Sequence, residues 1–597
     1  MADPKPPADP AALAGNLVRV AGHSHRMVSD FLHRQAAQGW LGGGDPLAVG
    51  GAFLELTARL MTEPQRIVAA QLSLWRDHMA LWGSTTRRFW GYGQEEAPAP
   101  DSGEDDRIVD FFKQSYLLTA RWVQRTFAGH EGLDPALIKK IDFYTRQFAD
   151  MTATGQLLSE NPEMVHATLR SSGENLVAGL GHLLGQLERV TSAFTARGAP
   201  LAPKRLAASR IGVDVATTPG KVVFQNALMQ LIQYAPTTKR ARARPLLMVA
   251  PWLTKFYIFD LRPENSLIRW IVERGYTVFA VSWVNPDGVL ADRGFDDYVT
   301  DGIVAALDAI EDATGAKGVN VLGYGLGGTM TAAALGYLAA VGDKRVKAAT
   351  LLSTVTDFSE AGALSVFADE EHLGQIEKLM RDGSPDARKG MTATFNLLRA
   401  NDLIWSTVLE QYVAGARPFP FDLFLWNADA TRLPRALHRF YLERLYRENL
   451  LVKPDGISLS GVPIDLTEVD VPIYLQASRD DHIAPWRTVF AATELFGGPT
   501  RFVLAGSGHH GGVLVPPDDD AAGGYATTDE PIRREDELGP AEWQKRAVWH
   551  AGSWWPDWER WLAAQSGGWV KPRRPGAGRL KAIEDAPGSY VRAEAAE

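Results

Sequence analysis

Apolar residues recur at spacings of three and four through much of the first third of the chain. Ile138, Ile141 and Tyr144 are one example, and this periodicity indicates amphipathic helices. We therefore predict an α-helical N-terminal domain over residues 13–210. The preceding residues 1–12 are rich in Pro, Ala and Asp, which is typical of a disordered tail.

The pattern changes near residue 211, where short apolar runs begin to alternate with amphipathic segments. Residues 263–273 and 297–314 are amphipathic and predict helices. Strands that alternate with helices indicate a mostly parallel sheet that is covered on both faces. The runs predicted as strands are 222–224, 245–250, 277–281, 318–322, 348–352, 472–476 and 501–504.

A long stretch, about residues 357–440, separates two of these predicted strands. It is rich in aromatic and charged residues and has a mostly helical pattern, which predicts a cap insertion over the site. We assign residues 211–566 to one α/β domain that contains this insertion. Residues 567–597 are rich in Pro, Gly, Lys and Arg, and we expect them to form a flexible tail.

The composition is that of a globular protein, with 45% hydrophobic and 22% charged residues. The net charge of −9 gives no general attraction to nucleic acid. Because we find neither an apolar run of membrane-spanning length nor a signal-peptide pattern, we expect a cytoplasmic protein with no transmembrane segment. The chain has no cysteine, which excludes disulfides, cysteine-bound metals and every thiol nucleophile, and we predict no metal site.

The segment Gly323–Gly328 follows a predicted strand and reads G-Y-G-L-G-G. A strand, a glycine-flanked turn and a helix form the nucleophile elbow of α/β-hydrolases, and Gly325 occupies the position of the nucleophile. The same glycines match the dinucleotide fingerprint G-x-G-x-x-G. The acidic residue that should follow about 20 positions later, at the end of the next strand, is absent, which disfavours a nicotinamide or flavin enzyme.

Two later segments complete a site in the same order along the chain. Asp481 follows the predicted strand 472–476, and His509 follows the predicted strand 501–504. Nucleophile, acid and histidine in this order are the triad of an α/β-hydrolase. The histidine accepts a proton from the nucleophile, and the carboxylate fixes the imidazole tautomer and stabilises its cation. We therefore predict an α/β-hydrolase fold with a cap insertion.

The chain as a whole resembles the class I polyhydroxyalkanoate (poly-3-hydroxybutyrate) synthases, which polymerise (R)-3-hydroxyacyl-CoA thioesters. The likeness runs from about residue 60 to residue 565. It includes a loop beside the active site, parts of a cap, the segments of the catalytic acid and histidine, and a Trp-rich motif near the C-terminus. These segments are 251–261, 281–287, 401–405, 420–429, 478–486, 508–513 and 552–558.

The resemblance implies acyl transfer from a hydroxyacyl-CoA to a growing polyester, with CoA as a product and without a cofactor. It implies that His509 deprotonates the nucleophile. Asp481 would orient His509 and help to activate the 3-hydroxyl of the incoming unit. The backbone N–H groups of Leu326 and Leu253 are the implied oxyanion donors. A homodimer at the surface of a cytoplasmic polyester granule, with phasin-type proteins as neighbours, is also implied.

The residues next to the predicted site are interpreted as having no chemical role. Asp480, His482 and His510 are adjacent to the predicted acid and histidine. Tyr324 and Leu326 flank the turn, and we expect their side chains to point away from the attacking position.

The chain departs from the family at the nucleophile, because the family carries Cys where this chain carries Gly325. Glycine cannot hold an acyl group, and three interpretations stay open. The chain is a variant of an active synthase that has lost its only cysteine. Alternatively, it is a natural paralogue that binds acyl-CoA, a polyester granule or an active synthase. In the third interpretation, His509 and Asp481 activate water and hydrolyse thioesters slowly.

Overall fold

The computed structural model describes residues 211–286, 288–360, 434–517 and 523–593, with 422, 423, 426, 429, 431 and 432. The predicted tail 1–12, the predicted helical domain 13–210 and most of the predicted cap lie outside these residues. Within the described ranges, none of the helices has both the length and the apolar character needed to cross a membrane.

One large sheet forms the centre of the described domain. Eleven strands build it in the order β13-β12-β11-β10-β7-β6-β4-β5-β2-β1-β15, and two small sheets pair β14 with β3 and β8 with β9. The strands are β1 (Gly220–Gln225), β2 (Met229–Tyr234), β3 (Ala241–Arg242), β4 (Leu246–Val249), β5 (Val278–Trp283), β6 (Val319–Tyr324), β7 (Val346–Leu352), β8 (Ile457–Leu459), β9 (Val462–Ile464), β10 (Ile473–Ser478), β11 (Thr500–Ala505), β12 (Tyr525–Thr527), β13 (Val548–His550), β14 (Trp569–Val570) and β15 (Glu584–Asp585).

The six strands from β11 to β5 at the centre of the sheet are parallel to one another. Strands β12 and β13 extend one edge, and β2, β1 and β15 extend the other, all by antiparallel pairing. Each predicted run overlaps an observed strand. The predicted mostly parallel sheet is observed at the centre, and the strands at both edges add antiparallel pairs that the prediction does not include.

Strand β2 is fully buried, although its sequence does not read as a strand. Gln230 and Gln233 interrupt its apolar run, and both are buried. Gln230 Nε2 donates to Glu584 Oε1 at 2.5 Å, and Gln233 Nε2 donates to the Arg573 carbonyl at 3.1 Å. Because buried amides need hydrogen-bond partners, this strand depends on a segment 354 and 340 residues further along the chain.

The described helices pack against this sheet. Eleven of the fifteen residues of helix α4 are buried, as expected for a helix that is apolar all round. A π-helical turn over Tyr298–Val304 joins α2 to α3, and another over Tyr441–Arg447 follows α5. The helices are α1 (Leu267–Val272), α2 (Phe295–Asp297), α3 (Ala305–Thr314), α4 (Leu326–Ala340), α5 (Arg435–Phe440), α6 (Trp486–Ala491), α7 (Pro540–Arg546) and α8 (Trp555–Gln565).

The C-terminal segment corrects one expectation, because residues 569–592 are bound to the domain rather than flexible. Strand β14 pairs with β3, and β15 pairs with β1 at the edge of the large sheet. Lys255 Nζ donates to the Val591 carbonyl at 3.0 Å, and the Tyr590 hydroxyl donates to the Asn226 carbonyl at 2.7 Å. The segment whose Pro, Gly, Lys and Arg residues suggest a flexible tail instead contains turns and strands that pair with distant parts of the chain.

A buried ion pair fastens helix α8 to the sheet. Arg501 on β11 contacts Asp557 twice, at 3.0 Å from Nε to Oδ2 and at 2.7 Å from Nη2 to Oδ1. The Tyr474 hydroxyl donates to the same Oδ2 at 3.0 Å. The Asp557 carboxylate is only 5% exposed, so water does not replace these partners.

We predict that Asp557→Ala lowers the free energy of unfolding by about 3–5 kcal/mol, because it leaves Arg501 partly buried without its counter-charge. Urea unfolding followed by tryptophan fluorescence measures this loss. Glu542→Ala is the matched control, because its pairs with Lys545 and Arg546 are exposed and its removal should leave the midpoint nearly unchanged. Similar losses in both variants would contradict the prediction.

A second prediction concerns acid stability and His438, which lies buried on α5. Burial lowers the pKa of His438 from 6.5 to about 4. Between these values the unfolded chain binds a proton that the folded chain excludes, so stability is present above pH 6.5 and falls as the pH drops toward 4. The full loss is about 3 kcal/mol.

His438→Leu should therefore flatten the decline of unfolding free energy between pH 7 and pH 5, measured by urea unfolding at each pH. His550→Gln, on strand β13, is the control for removal of a histidine elsewhere. An unchanged slope in the His438 variant would show that other groups cause the decline.

Candidate active site

A sharp turn at Gly325 joins strand β6 to helix α4. Gly325 has φ +52° and ψ −122°, a conformation that costs energy for any residue with a side chain. Its N–H donates to the Leu352 carbonyl at 2.9 Å, and its carbonyl accepts from the Thr329 N–H at 3.0 Å. The strand, turn and helix therefore have the arrangement predicted from the sequence.

Position 325 lies beside a histidine and has room for a side chain. A Cβ atom placed on Gly325 would lie 3.7 Å from Pro251 Cγ and 4.0 Å from His509 Nε2, and these are ordinary van der Waals distances. A sulfur or oxygen one bond beyond that Cβ would come within hydrogen-bonding reach of Nε2. The backbone therefore has room for a nucleophile beside the predicted base.

The next glycines are different, because they allow helix α4 to lie against the sheet. A Cβ on Gly327 would lie 2.4 Å from the Val249 carbonyl oxygen, and a Cβ on Gly328 would lie 1.8 Å from Thr354 Oγ1. Neither position can hold a side chain without moving the helix. Gly325 therefore stands where the structure permits a side chain, unlike its neighbours in the motif.

Asp481 and His509 form a buried pair at the carboxyl end of the sheet. Asp481 Oδ2 lies 2.6 Å from His509 Nδ1. Asp481 Oδ1 accepts from the backbone N–H groups of Ile483 at 2.9 Å and Ala484 at 2.8 Å. The carboxylate is fully buried. Because the carboxylate holds the proton at Nδ1, the imidazole presents Nε2 as an acceptor toward position 325.

The structure separates these two residues from their sequence neighbours. The Asp480 side chain is 62% exposed and lies 3.7 Å from Arg479. His510 Nδ1 lies 2.5 Å from the Tyr324 hydroxyl rather than beside Asp481. His482 lines the cavity next to Gly325. Of the adjacent candidates, Asp481 and His509 are thus the two that contact each other.

Two tryptophans donate hydrogen bonds to the loop that carries His509. The sequence alone does not predict this role. Trp554 Nε1 donates to the Gly512 carbonyl at 2.8 Å, and Trp555 Nε1 donates to the Val513 carbonyl at 2.9 Å. Both indoles are buried, and a buried indole N–H normally has a partner. The Trp-rich motif is visible in the sequence, but its partners lie 42 residues earlier.

The two predicted oxyanion residues, Leu326 and Leu253, line the same cavity as Gly325 and His509. Leu326 is the first residue of α4, so its N–H lies in the helical turn whose donors have no carbonyl four residues earlier.

The loop that carries Leu253 is fixed through its carbonyl groups. Trp283 Nε1 donates to the Ala250 carbonyl at 2.9 Å, and Trp426 Nε1 donates to the Lys255 carbonyl at 2.8 Å. The Thr431 hydroxyl donates to the Trp252 carbonyl at 3.1 Å. Three donors from distant segments therefore position this loop at the cavity.

Two family models match successive parts of this chain. Residues 99–271 match the family model described as "Poly-beta-hydroxybutyrate polymerase (PhaC) N-terminus", and residues 262–513 match that of the alpha/beta hydrolase fold. The chain is 42% identical to the poly(3-hydroxyalkanoate) polymerase of Methylorubrum extorquens, over 94% of this chain and 93% of that protein. The chain belongs to the poly(3-hydroxyalkanoate) polymerase family.

Other members of the polymerase family match over similar lengths. The polymerase subunit PhaC of Rhizobium etli is 38% identical, over 98% of this chain and 92% of that protein. That of Cupriavidus necator is also 38% identical, over 94% of each chain. The predicted α/β-hydrolase fold is confirmed, and so is the predicted membership in the polyhydroxyalkanoate synthase family.

Aromatic side chains form much of the cavity wall in this polymerase-family site. Trp426, Phe358, Tyr441 and Tyr446 line it, and the Tyr441 hydroxyl donates to the Tyr446 hydroxyl at 3.1 Å. Burial raises the pKa of both tyrosines, so both remain protonated. The wall suits an apolar acyl chain, with few polar groups to bind water.

The residues that flank the turn, Tyr324 and Leu326, line the same cavity as Gly325. The Tyr324 ring packs 5.4 Å from the His509 ring and 6.1 Å from the Phe259 ring, measured between centroids. Its hydroxyl is thereby directed at His510.

We predict that Gly325→Cys does not raise the thermal unfolding midpoint. The cavity has room for the side chain, but the positive φ costs a non-glycine residue roughly 1–3 kcal/mol. Gly327→Ala, which places a methyl group against the Val249 carbonyl, should lower the midpoint more. Differential scanning calorimetry compares the variants, and a midpoint above that of the unchanged chain for Gly325→Cys would contradict the strain argument.

Proposed function

We propose that this chain has the acyl-transfer site of a poly(3-hydroxyalkanoate) polymerase and lacks only the cysteine side chain that carries the nucleophilic sulfur. The proposed substrate is an (R)-3-hydroxyacyl-CoA, and the proposed products are polyester and free CoA. The observation that carries this proposal is the position of residue 325 beside the Asp481–His509 pair. A Cβ there would lie 4.0 Å from His509 Nε2, while Asp481 contacts the other ring nitrogen at 2.6 Å.

With a cysteine at 325, the first half-reaction would load an acyl group on the protein. His509 Nε2 takes the thiol proton, and the thiolate attacks the acyl carbonyl of the thioester. A new S–C bond forms while the bond from that carbon to the CoA sulfur breaks, and the CoA sulfur leaves with the proton from His509. The N–H groups of Leu326 and Leu253 would bind the carbonyl oxygen as it gains negative charge.

The second half-reaction would lengthen the polyester. His509 Nε2, with Asp481 behind it, takes the proton of a 3-hydroxyl group. The resulting alkoxide attacks the acyl carbonyl held on the cysteine, an ester O–C bond forms and the S–C bond breaks. The leaving cysteine sulfur then takes the proton from His509, which regenerates the thiol. The buried carboxylate stabilises the imidazolium in both halves.

With glycine at 325, the cavity keeps its base, its oxyanion donors and its apolar wall but has no atom to carry the acyl group. In a serine protease, loss of the nucleophile costs on the order of 10⁶ in rate. We therefore propose that the unchanged chain binds the thioester without turning it over at a comparable rate.

The resemblance supports several finer proposals. We propose the class I type, which acts on short acyl units, and a homodimer that works at the surface of a cytoplasmic polyester granule beside phasin-type proteins. We propose that the reaction needs neither a metal nor a cofactor, because the histidine, the carboxylate and a thiol supply each proton transfer and bond described above.

The test is CoA release from (R)-3-hydroxybutyryl-CoA, measured with a thiol reagent, for the unchanged chain and its Gly325→Cys and Gly325→Ala variants. The cysteine variant should release CoA on the order of 10³–10⁶ times faster than the other two and form polymer. The alanine variant adds the same Cβ without a thiol. Adding Asp481→Asn to the cysteine variant should lower the rate sharply, because the amide leaves His509 in the wrong tautomer.

Two outcomes would overturn the proposal. If the folded cysteine variant releases no CoA and forms no polymer, the pocket is not a polymerase site, and the chain is better regarded as a binding paralogue. If the unchanged chain releases CoA as fast as the cysteine variant without forming polymer, water is the nucleophile and the thiol is not required.

A further inference from the structure

Two strongly basic segments, far apart in the sequence, meet on the surface of the domain. Residues 235–245 contain four Lys or Arg, residues 566–582 contain five, and neither segment contains Asp or Glu. Strands β3 and β14 join them, with Arg242 opposite Trp569. We call their cations the basic patch, which consists of Lys239, Arg240, Arg242, Arg244, Lys571, Arg573, Arg574, Arg579 and Lys581.

A half-exposed indole lies at the centre of the basic patch. The guanidinium carbons of Arg240 and Arg242 lie 4.4 Å and 4.3 Å from the centroid of the Trp569 ring. Trp569 remains 42% exposed despite these contacts. The two guanidinium groups have the same charge and repel each other across the ring. An anion bound between them would reduce this repulsion.

The cations of the basic patch have few acidic partners. Among the described residues, only Arg579 is in an ion pair, with Asp312 at 3.2 Å. Arg244 and Arg573 donate to backbone carbonyls, namely those of Gln565 at 2.6 Å and Ala243 at 2.9 Å. These acceptors are neutral, and Glu311 and Asp312 are acidic residues that line a surface cavity together with Arg573, Arg574 and Arg579. The chain as a whole carries −9, so this local excess of positive charge is not a consequence of composition.

The basic patch lies at the opposite end of the sheet from the catalytic cavity. Arg244 stands two residues before strand β4, whereas Pro251 and Leu253, which line the cavity, follow the end of that strand. Strand β4 runs parallel to β6, whose carboxyl end leads to Gly325. The patch is therefore not part of the site that would hold the thioester.

We propose that the basic patch binds the phosphate headgroups of an anionic lipid surface, with Trp569 at the boundary between headgroups and acyl chains. Clustered Lys and Arg attract such a surface, and an indole suits a boundary with one apolar and one wet side. Nucleic acid fits less well, because its bases would need the ring face that two guanidinium groups already cover. The proposal is independent of catalysis.

Flotation of the full chain with lipid vesicles tests this proposal. The chain should bind vesicles of equimolar phosphatidylglycerol and phosphatidylcholine, release them as salt rises, and not bind pure phosphatidylcholine. The double variant Lys571→Gln/Arg574→Gln removes two exposed cations and should weaken binding on the order of 30-fold, at about 1 kcal/mol for each charge. Trp569→Ala should weaken binding at every salt concentration.

The matched control is Lys545→Gln/Arg546→Gln, which removes the same two residue types from α7, where both pair with Glu542. It should bind vesicles like the unchanged chain, and circular dichroism verifies that all variants fold. Equal weakening by the two double variants, or equal binding to neutral vesicles, would overturn the proposal. A third result would also overturn it. In that result, the unchanged chain does not float with anionic vesicles but binds single-stranded DNA, and the Lys571/Arg574 variant no longer binds the DNA.

Discussion

The short distance between helix α4 and the sheet is the constraint on which the site depends. The carbonyl of Val249 and the hydroxyl of Thr354 fill the places where side chains of residues 327 and 328 would lie. A helix this close to the strands can begin only after a turn of a single residue, and that residue must take a positive φ. Residue 325 consequently lies at the carboxyl ends of the parallel strands, at the same end of the sheet as the Asp481–His509 pair.

The acid–base pair owes its position to parallel pairing and to groups outside the cavity. Strands β10 and β11 pair in parallel up to Ser478 and Ala505, so the residues that follow each strand emerge at the same end of the sheet. Backbone N–H groups fix the carboxylate, and indoles of Trp554 and Trp555 fix the histidine loop. These contacts hold Asp481 and His509 beside position 325, where the chain has no side chain.

Local sequence patterns predict the parts of this fold that local physics controls. The central parallel strands are short apolar runs because they are buried on both faces. The turn, the acid and the histidine are recognisable because each follows a strand in a fixed order. Strand β2 is not predictable in this way, since the side-chain amides of its two glutamines donate to acceptors more than 300 positions away. Likewise, the sequence does not show that Trp554 binds the His509 loop, because its acceptor, the Gly512 carbonyl, is identified only by the structure.

The C-terminal segment has a consequence for how the protein is made. Strand β15 completes the edge of the sheet, and the carbonyl of Val591 accepts the hydrogen bond of Lys255, a residue of the loop that also carries Leu253. These partners are separated by 336 residues. During synthesis on the ribosome, this contact of the loop beside the cavity can therefore form only after nearly the whole domain has been made, later than the contacts of the same loop with Trp283, Trp426 and Thr431.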